Sequence, residues 1–169
     1  AYAILREALQ ADVDLVTCNL LISTFVRGVL WQRALSMLYE EITGHSLRPD
    51  VVTLNTCLSA CELVAQWSRA LDLLSERNTQ GLGFVDRVSC NTVVSSCAKG
   101  HQWMWALHLL HKGMSTLQLQ PDNVTYGASI AALERSHMWQ LALHIFSDMG
   151  AVGVQADAVV CNSVAWAVQ

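Results

Sequence analysis

Apolar residues recur along this chain at spacings of three and four positions, in pairs of stripes separated by short polar or glycine-containing breaks. Each stripe follows the i, i+3, i+4, i+7 pattern of a helix with one buried face. The first stripe of each pair is Cys18/Leu21/Ile22/Phe25, Leu54/Cys57/Leu58/Cys61, Cys90/Val93/Val94/Cys97 or Tyr126/Ser129/Ile130/Leu133. The second is Trp31/Ala34/Leu35/Leu38, Trp67/Ala70/Leu71/Leu74, Trp103/Ala106/Leu107/Leu110 or Trp139/Ala142/Leu143/Phe146. The pattern predicts a series of helical hairpins, with turns at Gly28, Val64, Gly100 and Ser136.

A five-residue motif opens each hairpin and an aspartate closes it. The motif first occurs as Leu-Val-Thr-Cys-Asn at residues 15–19, and its fifth residues are spaced 36, 36, 36 and 35 positions apart. The closing residues are Asp14, Asp50, Asp86, Asp122 and Asp157. Helix-stopping prolines precede two of them, in Arg48-Pro49-Asp50 and Gln120-Pro121-Asp122.

Self-similarity at this period is typical of a solenoid, in which each unit packs only on its neighbours. We therefore expect one all-α domain over residues 1–169. Its divisions are 1–14 (second helix of a partial unit), 15–50 (unit one), 51–86 (unit two), 87–122 (unit three), 123–157 (unit four) and 158–169 (first helix of a truncated unit). These divisions indicate a fragment of a longer protein.

Composition fits a helical array. Hydrophobic residues make up 53% of the chain and charged residues 14%, as expected when most helices are covered on two sides. No uninterrupted apolar run reaches the ~18 residues of a membrane span. The net charge of −4 counts against nucleic-acid binding unless the positive charges are specifically placed. The cysteines lack metal-ligand spacing and are expected to be small buried residues in a reducing compartment: Cys18, Cys57, Cys61, Cys90, Cys97 and Cys161.

One side of each first helix is left outside the core. At about 100° of rotation per residue, the second residue of each unit lies roughly opposite the buried stripe. It is always valine: Val16, Val52, Val88, Val124 and Val159. A flat ring held between successive valines is one explanation, and contact with the adjacent unit is the other.

Two further positions lie on the same side of the first helix. The fifth residue is Asn19, Asn55, Asn91, Gly127 or Asn162. The thirteenth is Arg27, Leu63, Lys99 or Arg135. Parallel stacking would align these residues into ladders along one surface, with an aspartate at each unit junction.

These units resemble the pentatricopeptide repeat family, whose members are organelle-associated helical solenoids that bind single-stranded RNA. The resemblance rests on V-T-x-N at the head of the unit, the central A-L, the terminal P-D and the period. It covers the chain from Leu15 to Gln169. The 34-residue period and W-x2-L-G-x2-Y core of the tetratricopeptide repeat do not fit. The implied fold is a right-handed α-solenoid.

The resemblance also implies how RNA is read. Each repeat of such proteins reads one base, through its fifth and last residues. The implied pairs are Asn19 with Asp50, Asn55 with Asp86 and Asn91 with Asp122, and this combination resembles a uridine reader. The implied core is U-U-U, read 5′ to 3′ as the protein runs from its N- to its C-terminal end. The valines would sandwich bases, and Arg27, Lys99 and Arg135 would meet phosphates, with a gap at Leu63.

The last two units depart from this pattern. Gly127 offers no side chain, so Asp157 is expected to specify its base poorly. Asn162 favours a pyrimidine, and its partner would lie beyond Gln169.

Structural explanations compete with these roles. Each aspartate precedes a helix and could be an N-cap alone, or a cap that also reads a base. The tryptophans are expected to pack where each second helix begins. His108 and His111 are three apart and could touch one metal ion, but no third ligand keeps register with them, so we expect surface histidines and no cofactor.

The sequence contains no catalytic motif, which predicts a binding protein and not an enzyme. The first hypothesis is an RNA-binding adaptor in organellar RNA processing, stability or translation, placed by the resemblance in a mitochondrion or chloroplast. Its partners would be single-stranded RNA and protein factors of RNA metabolism, without a membrane. The alternative is a protein-binding scaffold that does not bind RNA, which the acidic net charge and Leu63 favour.

Overall fold

The computed structural model describes residues 15–42, 49–80 and 85–167, and all regular structure within them is helical. The predicted partial unit at 1–14 lies outside the described residues. The first helices of the units are α1 (Leu15–Arg27), α3 (Val51–Leu63), α5 (Arg87–Lys99), α7 (Asn123–Arg135) and α9 (Ala158–Ala167). The second helices are α2 (Trp31–Ser36, continued by a π-helical segment, Met37–Ile42), α4 (Trp67–Gln80), α6 (Trp103–His108, continued by a π-helical segment, Leu109–Gly113, and by Met114–Thr116) and α8 (Trp139–Ala151).

The hairpins stack in parallel. Each first helix packs on the first helix of the next unit, and each second helix packs on its own first helix and on that of the following unit. The predicted all-α solenoid is therefore confirmed. On the side of the second helices, the Tyr39 hydroxyl donates a 2.7 Å hydrogen bond to Glu76 Oε2 and joins α2 to α4.

The core follows the predicted stripes. Every stripe residue of α3, α5 and α7 is buried, whereas Leu21 and Phe25 of α1 are half-buried. Trp139 and Leu143 of α8 are 47% and 40% exposed, so the prediction of packed positions is wrong for these two. The described residues contain no second helix of a following unit to cover them.

Each hairpin turn contains a residue in the left-handed backbone region, one position after the predicted turn residue. The φ angles are 58° at Val29, 54° at Ala65, 57° at His101 and 57° at His137. After each of these residues the next N–H returns to a carbonyl of the helix, as in the 2.8 Å bond from Gln102 N to Cys97 O. This is the hydrogen bond of a Schellman helix end.

Gly100 has a packing reason and not a conformational one. A Cβ atom at this position would overlap the indole of Trp67, which lies against the turn of the next unit. Trp67 thus packs where its helix begins, as the sequence predicted, and it does so across the junction between units two and three.

Most of the cysteines are core residues. Burial raises the pKa of Cys57 to about 12 and that of Cys97 to about 12, which keeps both thiols protonated. Cys18, Cys61 and Cys90 are also buried. Cys161 is exposed, so the prediction of burial is wrong there. The described residues include no second helix paired with α9 that could cover it.

Candidate nucleic-acid interface

The valines at the second position of each unit form an exposed row, here called the valine ladder. Val16, Val52, Val88, Val124 and Val159 are 58 to 69% exposed. Contact with the adjacent unit therefore does not account for these apolar side chains, because the stacking leaves most of each one uncovered. The row is a surface of apolar edges that lies on the first helices, away from the core.

The aspartates that close units one to three are N-caps. Asp86 Oδ1 accepts from the backbone N–H of Ser89 at 2.8 Å, and the Asp86 N–H donates to Ser89 Oγ at 3.3 Å, which completes a capping box. Asp50 with Thr53 and Asp122 with Thr125 form the same capping box at α3 and α7. The capping role inferred from the sequence is correct.

The same carboxylates also contact the asparagines of the preceding first helices. Asn55 Nδ2 donates to Asp86 Oδ1 at 3.3 Å, and Ser89 Oγ donates to Asn55 Oδ1 at 2.6 Å. The equivalent distances are 3.3 and 2.7 Å for Asn19 with Asp50 and Thr53, and 3.2 and 2.6 Å for Asn91 with Asp122 and Thr125. We call each set of asparagine, aspartate and hydroxyl residue a junction triad. The fifth and last residues that the family resemblance paired therefore lie in direct contact.

The junction triad fixes which way the asparagine amide faces. Asn55 Nδ2 meets a carboxylate, which only accepts, and Asn55 Oδ1 meets the Ser89 hydroxyl that donates to it. A reversed amide would place its oxygen against the carboxylate of Asp86. An amide has two N–H donors and two acceptor lone pairs, so each asparagine keeps one donor and one acceptor for a ligand.

The junction aspartates are ionised at neutral pH. Partial burial acts to raise the pKa of Asp86, but hydrogen bonds that include those from the Ser89 backbone N–H and the Asn55 amide outweigh it, so its pKa lies below the ordinary value. The pKa values of Asp50 and Asp122 are lowered in the same way, and the nearby Arg87 contributes at Asp122. Each junction triad thus contains a negative charge.

Unit four has no junction triad. Gly127 lacks the amide, and a Cβ at Gly127 would lie 3.1 Å from Cγ2 of Val160, which takes the place of the hydroxyl residue. Asp157 still caps α9 through the Val160 N–H at 2.8 Å. Its Oδ2 accepts instead from Asn123 Nδ2 at 2.7 Å. In the next unit, Asn162 is exposed on α9.

The thirteenth positions carry unequal charge. Arg27 and Arg135 are exposed, and Leu63 is a 56% exposed apolar residue between them. Lys99 Nζ lies 2.9 Å from Glu62 Oε1, which also accepts from Ser95 Oγ at 2.7 Å. The ammonium of Lys99 is therefore partly neutralised by an acid of the preceding unit.

The sequence analysis missed three participants: the hydroxyl residues as partners of the asparagines, Glu62, and Asn123. A signal for the first was present. Thr53, Ser89 and Thr125 each stand two positions into a unit that follows an asparagine-containing one, whereas Val160 follows the unit with Gly127. This paired replacement indicates contact between the fifth residue of one unit and the third residue of the next.

The part of the chain that the structure describes contains no cluster of three side chains suited to a metal ion. Among the described helices, none is both long and apolar enough to cross a bilayer. The surface just described is thus a row of apolar side chains and junction triads with scattered cations.

No family model matches the sequence, and no curated protein is similar to it. Among solved structures, the chain is similar to the crystal structure of the pentatricopeptide repeat protein PPR10 from maize, with a TM-score of 0.78 and 24% identity. That match covers 98% of this chain and 24% of the maize chain. The structure of PPR10 in complex with an 18-nt psaJ RNA element matches with a TM-score of 0.79 and 21% identity, over 95% of this chain and 24% of the other. The chain spans about a quarter of the length of these neighbours. It folds as a pentatricopeptide-repeat solenoid.

Proposed function

We propose that this chain binds single-stranded RNA along the valine ladder, one base per unit, with a preference for uridine in units one to three. The observation that supports this proposal most directly is the junction triad, which recurs at Asn19, Asn55 and Asn91 with one geometry. Each triad keeps one free donor and one free acceptor next to an exposed valine. A pyrimidine edge held between two valines can meet both groups.

The fixed amide supplies base discrimination. Uracil has a donor, N3–H, between two carbonyl acceptors, whereas cytosine has the acceptor N3 beside the N4 donor. An amide that could turn over would serve either base. Turning the Asn55 amide would break its bonds to Asp86 and Ser89, and a hydrogen bond to a charged group is worth roughly 1.5–3 kcal/mol. That cost is comparable to the ~1–3 kcal/mol by which a good base contact discriminates, and the family resemblance assigns the preference to uridine.

Phosphate contacts complete the proposed complex. Arg27 and Arg135 are exposed cations at equivalent positions of units one and four, and Lys99 contributes less because Glu62 already pairs with it. Such contacts add affinity without sequence information. In this proposal the valines stack on the bases, the junction triads discriminate between bases, and the cations attract the phosphates.

The role that follows is that of an adaptor without catalysis of its own. We propose that this adaptor acts in a mitochondrion or chloroplast, in RNA processing, stability or translation, together with protein factors; the resemblance of the repeat motif to an organelle-associated family supports this. One of the solved structures with the same fold contains an 18-nt RNA element, which supports RNA as the ligand. Three uridine-reading units give a preference for a short uridine tract, and further units would be needed to select a single site among many RNAs.

A protein-binding scaffold is the second candidate. The ion pair between Lys99 and Glu62 and the exposed Leu63 interrupt the row of positive charge at units two and three. A net charge of −4 acts in the same direction. A protein ligand would use the valine ladder as an apolar groove and would not need the free amide groups.

Fluorescence anisotropy with the 169-residue chain separates the two candidates. Labelled RNA decamers with U-U-U, C-C-C, A-A-A or G-G-G at the centre are titrated at two salt concentrations. We expect the U-U-U decamer to bind most tightly, and its binding to weaken as salt rises because phosphate contacts release counterions. Changing Asn55 and Asp86 together should move the preference at the second base away from uridine. A folded chain that binds none of the RNAs would leave the protein scaffold as the function.

A further inference from the structure

In unit four, the asparagine that bonds the closing carboxylate is the first residue of the unit, whereas in units one to three it is the fifth. Asn123 is the first residue of α7, one helical turn before Gly127, and residues four apart share a helix face. Because Gly127 has no side chain, the Asn123 amide reaches Asp157 directly, with Nδ2 2.7 Å from Oδ2. In units one to three the asparagine amide bonds Oδ1, the oxygen that also caps the helix.

The first position reaches the closing carboxylate in unit three as well. Arg87 Nε lies 3.6 Å from Asp122 Oδ2. Units one and two carry the aliphatic residues Leu15 and Val51 at this position. The first residue of a unit can therefore contact the second oxygen of the carboxylate that closes the unit. Among the described units, it does so only where this first residue is polar.

The polar groups at unit four differ in kind from those of a junction triad. Asn123 Oδ1 is buried and has no hydrogen-bond partner, so the carbonyl of this amide is turned away from the surface. What remains is the exposed Asp157 carboxylate, an acceptor, with the Asn123 amide nitrogen beside it. The neutral donor and acceptor pair that suits uracil is missing.

The space at unit four also differs. No side chain projects from Gly127, and Val160 Cγ2 forms the wall opposite it, 3.1 Å from where a Cβ would lie. Val124 and Val159 remain exposed on either side, as in the other units. A base between these valines would therefore meet Asp157 with no fifth-position side chain between them.

On the proposed RNA-binding function, we infer that Asn123 and Asp157 form a substitute reading pair and make unit four a reader of guanine. The Watson–Crick edge of guanine carries two adjacent donors, N1–H and N2–H, which a carboxylate can accept together. Uracil, cytosine and adenine each turn at least one acceptor toward the carboxylate. Asn123 Nδ2 donates to Asp157 Oδ2 and the Val160 N–H donates to Asp157 Oδ1, so both bonds position the carboxylate.

The test uses the 169-residue chain and RNA decamers with a U-U-U-N core, where N is each of the four bases and faces unit four. Wild type should bind N = G at least about fivefold more tightly than N = U, the range expected for a good base contact. Asn123→Leu gives unit four the residue that unit one has at the same position, and should reduce the preference for G below about twofold. Binding of the U-U-U segment should be unchanged.

A second variant rebuilds a junction triad in unit four. Gly127→Asn with Val160→Thr supplies the amide and hydroxyl of the other units, and should move the preference at N from G to U. Thermal unfolding of each variant checks that the fold is intact. Equal binding of all four RNAs by wild type, or an unchanged preference for G in Asn123→Leu, overturns the inference while U-U-U binding preserves the proposed function. Binding of no RNA by the folded wild type overturns both.

Discussion

The Nδ2 atom of Asn91 donates a 3.2 Å hydrogen bond to Oδ1 of Asp122, although 31 positions separate the two residues in the chain. Asn91 lies in α5, and Asp122 caps the first helix of the next unit, α7. The group proposed to face a base is therefore held by the end of a neighbouring helix. Its orientation depends on how closely two units stack.

Removing the amide of Asn91 should affect both stability and base preference. Asn91→Leu leaves Thr125 Oγ1 without the oxygen it meets at 2.6 Å, and the net loss of such a bond costs about 0.5–1.5 kcal/mol. Urea denaturation should show this destabilisation, and anisotropy should show no preference for uridine at the third base. Thr92→Val is the matched control, because the Thr92 hydroxyl donates to Val88 O within its own helix. Equal base preference in wild type and Asn91→Leu would contradict the reading role.

Freeing Lys99 should strengthen RNA binding. In Glu62→Gln the carboxylate 2.9 Å from Lys99 Nζ becomes neutral, and the released ammonium becomes available to a phosphate. For a single strand, one more phosphate contact steepens the slope of log K against log salt by about 0.7. Titrations at several salt concentrations measure this slope.

The control for that change in net charge is Glu134→Gln, at the same position of unit four. The ion pairs of the described residues do not include Glu134. Glu134→Gln should raise affinity less and leave the slope close to that of wild type. If Glu62→Gln and Glu134→Gln behave alike, Lys99 does not contact phosphate.

Substitutions at two neighbouring turn residues should change the stability of the chain in opposite directions: His101→Gly should raise it and Gly100→Ala should lower it. His101 is left-handed, with φ 57°, a conformation that costs an L-residue roughly 1–2 kcal/mol and glycine nothing. His101→Gly should therefore stabilise the chain by about 0.5 kcal/mol after the extra chain entropy of glycine is counted. Gly100→Ala should destabilise it by about 1–3 kcal/mol, because the added methyl group meets Trp67.

Guanidinium denaturation of both turn variants tests this pair. Ala65→Gly, at the equivalent left-handed position of unit two with φ 54°, serves as a replicate and should also stabilise. A gain in stability from Gly100→Ala would show that Trp67 can move out of the way at little cost.

Acid should weaken the unit junctions. The pKa values of Asp50, Asp86, Asp122 and Asp157 lie below the ordinary 3.8 in the folded chain. A carboxyl group whose pKa is lower in the folded than in the unfolded state stabilises the fold. This stabilisation is fully present above the unfolded-state pKa and is lost as pH falls through the folded-state pKa. These four groups should therefore leave the melting temperature constant as pH falls to about 4 and lower it as pH falls further.

Asp86→Asn tests this assignment, since asparagine also caps helices but does not titrate. The variant should lose less stability than wild type between pH 4 and pH 3. Parallel melting curves for the two proteins would contradict a role of Asp86 in the acid sensitivity.

The sequence predicted the hairpins and the caps because each recurs in register, and the pairing of fifth with closing residues was implied by the family resemblance. The sequence did not predict the contact of Lys99 with Glu62, 37 positions apart, because an acid at the twelfth position followed by a cation at the thirteenth position of the next unit occurs only once in the sequence. Nor did it predict the contact of Asn123, whose reach depends on the space that Gly127 leaves. Trp139 and Cys161 are exposed because burial depends on a neighbouring helix, which a residue's place in the repeat does not reveal.

The junction triad has a consequence for engineering. If a unit were exchanged as residues 51–86, Asp86 would be separated from Ser89, and the recipient's own third residue would lie beside Asn55 instead. At the other end, the incoming third residue would contact the asparagine of the recipient's previous unit, so the base preference of that unit would change. Cuts within the left-handed turns, at Ala65 and His101, would separate Asn55 from Asp86 and Ser89, whereas residues 55–90 contain the whole Asn–Asp–hydroxyl set. Changing the base preference of one unit at a time therefore requires exchanging segments that run from one fifth residue to the position before the next, out of phase with the repeat as the sequence displays it.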